Sequence, residues 1–99
     1  MTIPFESLHP YETNRDCSWV YDNGSANFAL HFSLLDVEKN FDYVRILDGN
    51  GTELISYTGT IRRGVTTPCI TTNSVKVVLD TDPAVVGQGF IVDAVVACP

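Results

Sequence analysis

The feature that most constrains this chain is a two-residue beat. In "NFALHFSLL", Phe28, Leu30, Phe32 and Leu34 alternate with Ala29, His31 and Ser33. Successive side chains of a strand point to opposite faces, so this stretch reads as a strand with one face toward a core. The beat recurs. "CSWVY" sets Cys17, Trp19 and Tyr21 on one side, and "DYVRIL" sets Val44 and Ile46 against Tyr43 and Arg45. "ELISY", "SVKVVL" and "GFIVDAVVAC" behave likewise, the last with Phe90, Val92, Ala94, Val96 and Cys98 in phase. Turn signals separate these runs at Asn23-Gly24, Asn50-Gly51, Gly59, Gly64, Pro68, Pro83 and Gly87. No segment holds a helical period for three turns. Short strands with frequent turns predict an all-β antiparallel sandwich or barrel. Its core is expected to hold Phe28, Leu30, Phe32, Val44, Ile46, Val75, Val77, Leu79, Phe90 and Val92.

The 99 residues suit a single domain over residues 1–99. Met1 followed at once by patterned sequence suggests a domain cut from a larger protein. Twelve Asp and Glu against six Lys and Arg give a formal charge of -6. That balance argues against nucleic acid, whose phosphates demand a basic footprint, and favours cationic partners. No apolar run reaches the roughly 20 residues of a spanning helix, so membrane insertion is not expected. Cys17, Cys69 and Cys98 are compatible with one disulfide and one thiol, and no Cys/His spacing suggests zinc.

The order of the motifs adds a resemblance. "HPYETNRDCSWV" resembles the opening motif "YPNNxxCxWxI" of CUB domains, the extracellular jelly-roll modules of complement and astacin-like proteases. "FALHFSLLDVE" resembles "IxLxFxxFDLE", and "FDYVRILDG" resembles "YDYVxVxDG". "TG" at Thr58-Gly59 stands where the family has "CG", and "NSVKVVLDTD" with "GQGFIVDAVV" resembles "NxMxVxFxSD…GFxAxY". Each piece is weak alone; five in order are specific. The chain departs from the family in its cysteines. It lacks the N-terminal one and the pair that would join the loop before "FDYV" to position 58. That loop is shortened to Lys39-Asn40-Phe41.

The resemblance implies a two-sheet jelly-roll sandwich, secreted or extracellular, acting in non-catalytic protein recognition. It also implies a use for the acidic residues crowded in "LDVEKNFDYV". Carried over residue by residue, the calcium ligands would be Glu38, Asp42 and Asp82, braced by Tyr11, with Ala84 and Val85 able to add backbone oxygens. Calcium takes six to eight hard oxygens, several of them carboxylates. The same acids would grip a Lys or Arg of a protein partner. Without an ion, Asp36, Glu38 and Asp42 read as solvated loop charges. In this jelly roll the "CxW" strand and the final strand would be antiparallel neighbours, which implies a Cys17–Cys98 disulfide and leaves Cys69 as a buried or half-buried thiol.

Two other uses stay open. A carbohydrate-binding module would stack sugars on Tyr43, Tyr57 or Trp19, and a structural assembly domain would need no metal. An enzyme is the least expected. His9 and His31 belong to no triad-like motif, and no nucleophile elbow, zinc-protease or phosphate-loop motif occurs. "DGNGTE" lacks the ligand spacing and helices of an EF-hand and reads as a hairpin turn. "NGS" at Asn23 and "NGT" at Asn50 are glycosylation acceptors if the protein is secreted by a eukaryote.

Overall fold

The computed structural model describes residues 3–11, 16–61, 63–82 and 86–98. Every regular element among them is a strand: β1 (Phe5–Glu6), β2 (Asp16–Asp22), β3 (Phe28–Asp36), β4 (Tyr43–Leu47), β5 (Glu53–Tyr57), β6 (Thr60–Ile61), β7 (Val65–Thr66), β8 (Ser74–Asp80) and β9 (Gly89–Ala97). One sheet runs β1-β9-β3-β6 with β7 also on β3, and the other runs β2-β8-β4-β5. All pairings are antiparallel. Two sheets of alternating sequence can bury their apolar faces only against each other, and the result is the expected sandwich. No helix is long and apolar enough to cross a membrane.

All ten expected core residues are buried, none more than 2% exposed. Phe90 sits at the centre. The rings of Trp19, Phe32 and Phe5 meet it edge-on, with centroids 4.9, 5.8 and 6.2 Å away. Trp19 comes from the facing sheet, so this contact joins the two layers.

The beat breaks most where β3 meets β9, with one further shift between Ile46 and Leu47 where β4 meets β5. Along β3 and β9 the register shifts between His31 and Phe32 and again between Phe32 and Leu34, leaving Asp93 and Ser33 unpaired in turn. Each bulge inverts the phase of the residues beyond it on its own strand. Leu35 is therefore fully buried while Leu34 is only half-buried. On β9, Val95 packs on the core and Val96 is exposed.

The expected Cys17–Cys98 disulfide is not formed; Cys69 is bonded to Cys98, and Cys17 is an exposed thiol. Strand direction explains the correction. β2 begins beside the end of β8, and β9 begins beside Asp36 at the end of β3, so both start at the same end of the sandwich. They also lie in different sheets. Cys17 opens β2, whereas Cys98 comes after the last of nine β9 residues, roughly 30 Å further along at strand rise. At that far end the Cys98 amide donates to Asn27 O (2.9 Å), while Ile70, next to Cys69, bonds the adjacent Phe28. The start of β3 thus gathers both cysteines.

Candidate metal centre

The end where β2 and β9 begin carries the acidic residues, and local geometry brings three of them together. After β3 the chain turns through Glu38–Asp42. The Asp42 amide donates to Glu38 O (2.9 Å), and Asn40 takes a left-handed φ of 68°, which asparagine tolerates. Three intervening residues are what one such turn spans, so the short loop turns Glu38 back over Asp42. Thr58 then clamps it. Its hydroxyl accepts from the Asn40 amide (2.8 Å) and donates to Asp42 O (2.8 Å). The position that carries a cysteine elsewhere in the resembling motif thus holds the same loop by hydrogen bonds.

Asp42 has no exposed surface. Its Oδ2 accepts from the Tyr11 hydroxyl (2.6 Å) and its Oδ1 from the Asp82 amide (2.8 Å). Tyr11 in turn accepts from the Glu38 amide (3.2 Å). Burial, and then the Asp42 carboxylate, push the Tyr11 phenol up to about 12, so it stays a donor at neutral pH. Carboxylate oxygens of Glu38, Asp42 and Asp82 all lie within 4.8 Å of one another.

Glu38 bears the strain of this arrangement. Its Oε1 is buried with no hydrogen-bond partner. Burial raises its carboxyl pKa, as do the charges of Asp82 and Asp42 and a hydrogen bond shared with Asp82. Like charges brought this close favour a positive charge placed between them. An orphaned buried oxygen beside two more carboxylates fits a hard cation. Each Asp42 oxygen uses one lone pair on its donor and keeps another for an ion.

Asp36 is not part of the cluster. Its oxygens accept from the Thr60 hydroxyl (2.7 Å) and the Gln88 amide (3.0 Å). Those contacts need a close crossing: a Cβ on Gly87 would fall 2.4 Å from Asp36 O, and Gly89, at φ +89°, leaves no room beside Ser7. Ala84 and Val85 lie outside the described residues. The remaining candidates are placed elsewhere. His31 pairs with Asp93 (2.6 Å) on a solvent-accessible face, and His9 contacts Gln88 O. Tyr43 lies under the Arg45 guanidinium, while Tyr57 packs on Phe32 and Trp19 on Phe90, so these rings form no shared platform. Asp48 closes the turn at the far end of β4.

A sandwich of this topology, with an acidic cluster at the loops of one end, defines an antiparallel two-sheet β-module. The chain belongs to the CUB domain family, whose model matches residues 5–93. It is also similar to Neuropilin-1 of Xenopus laevis, 33% identical over 92 residues. That match takes in 83% of this chain and 10% of the relative, so the chain spans about a tenth of that protein's length. CUB domains are typically extracellular protein-interaction modules, generally non-catalytic, and often bind calcium. Sequence reasoning missed Thr58 as a clamp. Its signal was there as the hydroxyl standing in place of the motif's cysteine.

Proposed function

We propose that this domain is a calcium-dependent recognition module within a larger extracellular protein, and that it binds a protein partner through an exposed Lys or Arg. Glu38, Asp42 and Asp82 would hold the ion, with Tyr11 fixing the Asp42 carboxylate. When bound, calcium supplies the positive charge that lets three carboxylates share one site. The observation that carries the reading is the buried, unpartnered Glu38 Oε1 within that triad. A divalent ion leaves the three carboxylates one negative charge in excess, enough to favour an approaching ammonium or guanidinium. The chain's formal charge of -6 acts in the same direction.

Thermal unfolding in millimolar calcium against chelator tests it. At about 100 times the dissociation constant, calcium should stabilise the fold by about 2.7 kcal/mol. For a domain of this size that is a Tm rise of roughly 10–20 °C. Equal melting temperatures would leave the cluster a hydrogen-bonded tie between loops with no role for the ion.

A further inference from the structure

Beside the acidic cluster lies a cleft of about 130 Å³ with mostly carbon walls. Leu8, Trp19 and Leu79 supply its apolar surface, and Cys17 lines it from the start of β2. Tyr11 and Thr81 form the wall shared with the cluster. On the other side of that wall the Tyr11 hydroxyl bonds Asp42, and Asp82, next after Thr81, donates its amide to the same carboxylate. The cleft therefore adjoins the carboxylate cluster. Leu8 is 64% exposed, and Phe41, in the Glu38–Asp42 loop, is 63% exposed. These are the two most exposed large apolar side chains among the described residues; Leu8 lines the cleft and Phe41 directly precedes Asp42. Apolar surface ringing a charged centre is the composition of a contact site.

We propose, resting on the recognition reading above, that the cleft receives an apolar side chain of the partner that sits next in sequence to the gripped Lys or Arg. Charge decides the occupant. A bare apolar ligand gains nothing from three neighbouring carboxylates, whereas a segment pairing a cation with an aliphatic or aromatic residue satisfies both halves. The volume fits this. An apolar cavity of about 150 Å³ takes up benzene, so one Leu- or Phe-sized group is the right scale. The partner is then defined by a basic-apolar dipeptide step rather than by positive charge alone.

The test uses capped hexapeptides of Gly and Ser carrying one Lys, with Leu, Phe or Ser beside it, titrated in saturating calcium. Trp19 is the chain's one tryptophan and lines the cleft, so its emission reports filling. Lys-Leu and Lys-Phe peptides should bind at least about tenfold tighter than Lys-Ser, as burial of one such side chain implies. Only the apolar peptides should shift the emission. Alkylating Cys17, the free thiol, with N-ethylmaleimide should remove that preference and leave the calcium-induced Tm rise intact. Leu8→Asp, at an exposed position, should do the same. Equal binding of Lys-Leu and Lys-Ser peptides would overturn the cleft while leaving calcium-dependent recognition standing. Equal binding of an acetyllysine-Leu peptide would also overturn it. Self-association that alkylation abolishes would overturn it in favour of a second copy of this chain. A missing calcium shift would instead sink the underlying reading.

Discussion

Two aspartates bracket β4, Asp42 just before Tyr43 and Asp48 just after Leu47. Both use carboxylate oxygens to accept backbone amides, and there the likeness ends. Asp48 is satisfied by its own turn: its Oδ1 accepts from the Asn50 and Thr52 amides at 2.9 Å each. Asp42 is satisfied by partners 31 and 40 residues away, Tyr11 and Asp82, and is sealed from solvent. A carboxylate with local partners shapes a turn and can be replaced at modest cost. One held by remote elements ties those elements together, and its loss is felt in all of them.

The largest expected effect is therefore Asp42→Ala. It strands the Tyr11 hydroxyl and the Asp82 amide, and losing a buried hydrogen-bonded charge should cost about 3–5 kcal/mol in urea unfolding without calcium. A cost no greater than that of Asp48→Ala would erase the distinction. Next, Asp82→Ala should remove the calcium-induced Tm rise of roughly 10–20 °C, whereas Asp48→Ala should keep it in full. Differential scanning calorimetry of both variants, with calcium and with chelator, decides this. Tyr11→Phe should cost about 1–3 kcal/mol through the lost donor to Asp42, and should weaken calcium binding without abolishing it.

Glu38 adds a pH dependence of its own. Its folded-state pKa lies above the unfolded value, so without calcium Glu38 holds its proton more tightly in the fold than in the unfolded chain. That contribution is full below the ordinary glutamate pKa and is lost as pH rises through the raised folded value. Calcium needs the ionised form and should reverse the trend. Tm against pH across the acidic range, with and without the ion, should show opposite slopes, and Glu38→Gln should flatten the calcium-free one. The smallest effect is Asp48→Ala on stability, about 1 kcal/mol for a cap-like turn contact. A larger loss would mean that the turn matters beyond its own residues.

The same division governs how legible each region was. The core could be read because alternation is local: Phe28, Leu30 and Phe32 declare a face without reference to any other strand. The Asp48 turn could be read from Asn50-Gly51 for the same reason. Local pattern alone could not distinguish Asp36 from Asp42. Both stand at strand ends, and only distant partners, Thr60 and Gln88 against Tyr11 and Asp82, separate them. The triad came into view through motif order, which carries long-range pairing that composition lacks. The disulfide was misread because β2 and β9 belong to different sheets and begin at the same end of the sandwich, which sets Cys17 and Cys98 at opposite ends.

The Thr58 clamp bears on where this domain can work. Among the described residues the one disulfide lies at the end of the sandwich remote from the carboxylates. The loop over Asp42 is held by a hydroxyl, which neither glutathione nor thioredoxin can reduce. Reducing agents would loosen the Cys69–Cys98 end and leave the loop over Asp42 chemically untouched. The fold of the Glu38–Asp42 loop is thereby uncoupled from the disulfide chemistry of its surroundings.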